Sequence, residues 1–74
     1  MYYIIEHDIR PDGVVNVSEV GRSDWAMAQS YYYDRYSKMV VSTSFTSVHL
    51  MLTDEKLSVI MQSDIQTKYE PSEV

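Results

Sequence analysis

Residues 23–39, SDWAMAQSYYYDRYSKM, are the one stretch of this chain with a helical period. Trp25, Ala28, Tyr32, Tyr36 and Met39 recur at offsets of 3, 7, 11 and 14, which places them on a single stripe. Ser23 is a good N-cap residue, and Asp24 complements the positive end of the helix dipole. Gln29, Ser30, Asp34, Ser37 and Lys38 form the polar remainder. The helix is expected to fray before Val40-Val41, where β-branched residues and the Ser42-Thr43-Ser44 run take over. Tyr31-Tyr32-Tyr33 spans about 300° of helix surface, at roughly 100° per residue. All three rings cannot enter one core, so Tyr31 and Tyr33 are candidates for contact with a partner.

Before the helix, residues 2–10 and 14–20 read as a hairpin around Pro11-Asp12-Gly13. Pro presets φ at the first corner, Asp suits the second and Gly takes positive φ. A three-residue loop with a glycine bulge pairs Arg10 with Val14. Ile9 then faces Val15, His7 faces Val17 and Ile5 faces Glu19. One side of the ribbon carries Tyr3, Ile5, His7, Ile9, Val15 and Val17. The other carries Tyr2, Ile4, Glu6, Asp8, Asn16, Ser18 and Val20. The first set is more apolar and is expected to be the core face.

After the helix, residues 45–53 and 56–63 read as a second hairpin with Asp54-Glu55 at its corner. A two-residue loop opposes Leu52 to Leu57, Leu50 to Val59 and Val48 to Met61, a clean apolar face. Phe45, Ser47, His49, Met51, Ser58, Ile60 and Gln62 then lie on the outer face. A longer loop that takes in Thr53 and Lys56 is the alternative, because Asp-Glu is not a favoured hairpin pair. The expected fold class is α+β, ββαββ, with an antiparallel four-stranded sheet and one helix on one face. Residues 1–66 make a single domain, and residues 67–74 read as a frayed C-terminal tail.

A chain of 74 residues supports one modest core. With no cysteine there is no disulfide, no thiolate nucleophile and no cysteine-based zinc site. Dense packing of seven tyrosines, one tryptophan, one phenylalanine and five methionines, or self-association, has to compensate. The formal net charge is −5, and Arg10, Arg22, Arg35, Lys38, Lys56 and Lys68 are scattered. Direct nucleic-acid binding is not expected without clustered bases. Eleven acids offset by six bases are also too sparse for a nucleic-acid decoy. There is no basic segment followed by an apolar one and no membrane-length apolar run, so the expectation is a soluble cytoplasmic protein.

Catalysis has little support. His7 and His49 are the only side chains suited to proton transfer near neutrality, and they match no metal-ligand spacing. No glycine-flanked nucleophile turn and no phosphate-cradling glycine loop occurs. No cofactor, metal or catalytic residue is assigned, and an enzyme built on His7 or His49 ranks last among three readings. The leading expectation is a binding protein that contacts its partner through Tyr31, Tyr33, Phe45, Met51 and Ile60, with Asp54 and Glu55 at the turn. A homo-oligomeric assembly module that buries the same outer face, as a homodimer for example, ranks second.

The strand–strand–helix–strand–strand order from Tyr2 to about Gln66, the immediate strand Tyr2-Tyr3-Ile4-Ile5 and the Ser23-Asp24 helix start give a resemblance. The chain resembles small accessory proteins of bacteriophages and prophages, including several anti-CRISPR proteins. The resemblance is architectural and carries over no functional residue. It implies a compact, cofactor-free protein in the cytoplasm of a bacterial host. Such a protein acts by occupying the surface of a defence complex, such as CRISPR-Cas, or of another host protein.

Overall fold

The computed structural model describes residues 1–68. The elements are β1 (Tyr2–Ile9), β2 (Val15–Arg22), α1 (Trp25–Met39), β3 (Ser47–Thr53) and β4 (Val59–Gln66). The four strands form one antiparallel sheet in the order β2-β1-β3-β4. This is the ββαββ arrangement expected from the sequence, with β1 and β3 as the central pair. No helix among the described residues is long and apolar enough to cross a membrane.

The first hairpin has the expected register, with Ile9 opposite Val15, His7 opposite Val17 and Ile5 opposite Glu19. Its turn is closed by Arg10 N–H to the Val14 carbonyl at 2.9 Å and Gly13 N–H to the Arg10 carbonyl at 3.0 Å. Gly13 has φ of +89°, the left-handed region where a side chain is penalised. Asp12 accepts from Val14 N–H at 3.0 Å, so the turn is held by backbone and side chain together.

The face that this hairpin buries is the reverse of the expected one. Ile4 and Glu6 are buried, whereas Val15 and Val17 are 47% and 64% exposed. The cause is pairing between β1 and β3. Ile4 lies opposite Leu52, Glu6 opposite Leu50 and Asp8 opposite Val48. Residues directly opposite in an antiparallel pair share a face, so the apolar side of β3 carries the even residues of β1 inward. Local apolar content favours the other face and is overruled.

The core consists of Ile4, Ala28, Tyr32, Val48, Leu50, Leu52 and Ile65, with Tyr2, Tyr31, Met39, Val40, Phe45 and Met61 packed around it. Phe45, expected on the outer face, therefore belongs to the periphery of the core. It precedes β3, and its carbonyl accepts from the Thr67 hydroxyl. Lys68 N–H donates to the Ser42 carbonyl at 2.9 Å, which ties the end of the described chain to the loop before β3. The remainder of the expected tail, residues 69–74, lies outside the described residues.

α1 starts one residue later than the expected cap. Asp24, not Ser23, is the N-cap, and its carboxylate accepts from Ala26 N–H at 2.7 Å and Met27 N–H at 3.2 Å. A carboxylate there satisfies two orphan donors and the helix dipole at once. Ala28 and Tyr32 are the buried helix residues, while Tyr36 is 40% exposed. The Trp25 ring leans on Tyr2, with centroids 5.2 Å apart. The covered stripe thus runs through Ala28, Tyr32, Arg35 and Met39, rotated away from Tyr36.

The second hairpin keeps the expected inward face of β3 but shifts register by four residues, which leaves Leu57 and Val59, expected on the core face, 58% and 48% exposed. Leu52 faces Met61, Leu50 faces Ser63 and Val48 faces Ile65, in place of Leu57, Val59 and Met61. The turn is longer because Asp54 organises it. Its Oδ1 accepts from Lys56 N–H and Ser58 N–H, both at 2.9 Å, while Asp54 N–H donates to the Ser58 carbonyl at 3.0 Å. Leu57 closes the turn with φ of +64°. A left-handed leucine costs about 1–2 kcal/mol, which the three Asp54 bonds offset. A bulge between Leu52 and Thr53 then brings Val59 opposite Thr53.

Candidate functional site

The helix covers one side of the sheet and leaves the other open. On the open side, cross-strand rows follow from the register. Val15, Ile9, Ser47 and Gln66 form one row. Val17, His7, His49 and Asp64 form the next, and Glu19, Ile5, Met51 and Gln62 the third. The centre of this face is half-buried and mostly apolar, with two histidines set in it. The His7 and His49 rings are stacked, centroids 6.1 Å apart and planes 27° from parallel. The Nδ1 of His49 pairs with the Asp64 carboxylate on β4.

Two residues 42 positions apart in the sequence are thereby direct neighbours. The spacing of His7 and His49 carries no sign of this, because their meeting depends on β1 pairing with β3. His7 was expected on the core face and lies on the open one.

On the covered side sits a cluster of charge. Glu6 is 3% exposed and is gripped by Arg35 from the helix, Nε to Oε1 at 2.7 Å and Nη2 to Oε2 at 2.8 Å. This two-pronged geometry matches the guanidinium fork to the carboxylate. Burial opposes the Glu6 charge, but the hydrogen bonds from Arg35 and Asp8 and the Arg35 charge outweigh it, leaving the pKa below its ordinary value. The Arg35 guanidinium is held charged by the same bonds.

Asp8 lies two residues along the same strand, and its Oδ1 is buried with no hydrogen-bond partner among the described residues. Burial first, then the neighbouring Glu6, push its pKa up from 3.8 to about 7. The protonated carboxyl donates to Glu6, so one proton serves two carboxyls. A raised pKa in the folded state means that the folded form holds its proton where the unfolded form has lost it. Stability from Asp8 is therefore complete below pH 3.8 and lost as pH rises toward about 7. Urea unfolding across that window is expected to show a falling stability in the parent and a flat response from Asp8→Asn. The variant is expected to be more stable than the parent at mildly alkaline pH, because a neutral amide replaces a buried carboxyl that has lost its proton beside Glu6. A parent with no decline across the window contradicts this assignment.

The expected partner residues scatter over several surfaces. Tyr31 is half-buried beneath Arg22, whose guanidinium lies 5.0 Å from the ring centroid. Together with Met27, Ser30 and Asp34 they line a shallow cleft of about 310 Å³. Tyr33 is 52% exposed and meets Tyr32 edge-on at 5.4 Å. Met51 sits at the centre of the open face and Ile60 on edge strand β4. Asp54 is engaged in its turn, and Glu55 is exposed at the turn tip. Met51 thus adjoins the histidine row and Ile60 lies beyond the row of Met51 and Gln62, while Tyr31, Tyr33 and Phe45 belong to the helix side or the core rim.

The chain matches no family model, no curated protein and no solved structure.

Proposed function

We propose that this protein is a non-catalytic binding module that occupies the surface of another protein with the open face of its sheet. The observation that carries the reading is the uncovered apolar set Ile5, Ile9, Val15, Val17 and Met51, spread over three adjacent strands. Four strands, three of eight residues and one of seven, project about 500 Å² of sheet, at roughly 4.8 Å per strand and 3.3 Å per residue. That is within the size of patches that are often functional on monomers. It is less than the roughly 800 Å² per partner of a standard interface, so flanking groups have to contribute. Val59 and Ile60 on the β4 edge, 48% and 45% exposed, are the adjoining apolar side chains. The histidines lie on a flat surface rather than in a cleft, which supports binding over catalysis.

The small size and the element order, which resemble phage accessory proteins, direct the proposal to a bacterial cytoplasmic target. A CRISPR-Cas-like defence complex, or another host protein, would be blocked sterically. Capture from bacterial lysate tests this with the parent, Met51→Glu, Tyr33→Ala and Lys38→Ala. A partner held by the parent and by Lys38→Ala is expected to be lost by Met51→Glu. If Met51→Glu keeps every partner, the open face is not the binding surface. Raised phage plating in cells with an active CRISPR-Cas defence would support the target class, and unchanged plating would remove it.

The rival occupant of the face is a second copy of the chain. Its supporting observation is the exposure of Val15 and Val17 on edge strand β2, where a sheet offers both side chains and unpaired backbone groups. Light scattering separates the two readings, since a monomer at high concentration removes the homodimer.

A further inference from the structure

We propose that His7 and His49 form a two-histidine site for a divalent first-row transition-metal ion, oriented by Asp64, on the open face of the sheet. The argument starts from the register. His7 and His49 are directly opposed on the two central strands, where the backbone is most constrained. Their side chains leave the sheet on the same side, with near-parallel rings. Directly opposed Cβ atoms lie about 4.5–5.5 Å apart, and the two ring centroids are 6.1 Å apart. Rotation of the two imidazoles about their own side-chain bonds, with the strands in place, brings one nitrogen of each to about 2.1 Å from a shared ion.

Asp64 supplies the second observation. Its carboxylate engages Nδ1 of His49 from the adjacent strand. With the proton held on Nδ1 by the carboxylate, the lone pair of the neutral ring is on Nε2. A carboxylate behind the imidazole fixes the tautomer and raises ligand basicity, the usual arrangement behind a metal-binding histidine. The His49 side chain is 27% exposed, so the ring meets solvent. On the two central strands the histidines are flanked by Ile5, Ile9, Ser47 and Met51.

Among the described residues no three His, Cys, Asp or Glu side chains gather around one point. The protein therefore gives two ligands, and the remaining coordination positions go to water. Imidazole nitrogen selects Cu(II), Ni(II) and Zn(II) over Mg(II) and Ca(II), with Cu(II) the tightest. This site is independent of whether the face also docks a protein, and it is tested on the isolated chain.

The experiment is titration of the full chain with Cu(II) and with Zn(II), followed by calorimetry and by histidine ring resonances in NMR. One-to-one saturable binding is expected. Cu(II) below stoichiometry is expected to broaden the ring signals of His7 and His49 before any others in the unsubstituted protein. His7→Gln and His49→Gln are each expected to lose the stoichiometric site. Asp64→Asn is expected to weaken it by about 10–100-fold. Mg(II) is expected to give no binding. The proposal is overturned by absence of saturable binding to the parent. It is equally overturned by broadening that begins at carboxylate residues, or by full binding in either histidine variant with its fold intact by circular dichroism.

Discussion

Arg35→Ala is expected to leave the chain largely unfolded at room temperature and neutral pH. Among the described residues the guanidinium is the only cation gripping Glu6, through bonds of 2.7 and 2.8 Å, and Glu6 is almost fully buried. Removing it strands one carboxylate under the helix, beside a second acid, Asp8, whose Oδ1 has no partner among the described residues. Breaking one half of a buried ion pair costs about 3–5 kcal/mol. A domain of this size without staples has roughly 3–5 kcal/mol in all. The loss therefore matches the whole stability. Urea unfolding by circular dichroism reads the effect directly. Glu6→Leu combined with Arg35→Met is expected to remain close to the parent, because replacing both charges removes the desolvation cost along with the attraction. A loss under about 1 kcal/mol for Arg35→Ala would mean that the pair behaves as a solvent-screened surface contact.

The second large effect is expected at Ile4. Its side chain is 1% exposed, pressed between Val20 and Leu52 in the sheet and belonging to the core that contains Ala28. Ile4→Lys forfeits about 1.5–3 kcal/mol of apolar burial. It also places an ammonium in the buried core beside Val20 and Leu52, at a further cost of several kcal/mol. The sum exceeds the stability of the fold, so the variant is expected to be unfolded in the absence of denaturant. Glu6, two residues along β1, is already paired with Arg35, and Asp8 lies four residues along, so among the described residues no unpaired anion adjoins position 4.

Much of the architecture was legible in the residues themselves. Pro11-Asp12-Gly13 specifies its own turn chemistry, and the first hairpin's register follows from it. The apolar alternation Val48, Leu50, Leu52 marks the inward face of β3 without ambiguity. Three features were not legible, each for a physical reason. The inward face of β1 depends on which strand lies beside it, and both of its faces hold isoleucine. Glu6 and Asp8 read as a solvent face until Arg35, 29 residues on from Glu6, is seen to reach it. The β4 register depends on the Asp54 side chain capping its own turn and on Leu57 accepting positive φ, for which leucine has no preference. The candidate site shares the first limitation. His7 and His49 become neighbours only through the β1–β3 pairing, a non-local fact that no spacing encodes.

Thermal unfolding of Ile4→Lys beside Ile5→Lys tests most directly which side of β1 the helix covers. The substitutions are identical and adjacent, and only the pleat distinguishes them. Ile5 lies on the open face, opposite Glu19 on one side and Met51 on the other, so a lysine there keeps its charge in water beside an acid. The account predicts no cooperative transition for Ile4→Lys and a melt for Ile5→Lys within a few degrees of the parent. A folded Ile4→Lys and an unfolded Ile5→Lys would contradict it.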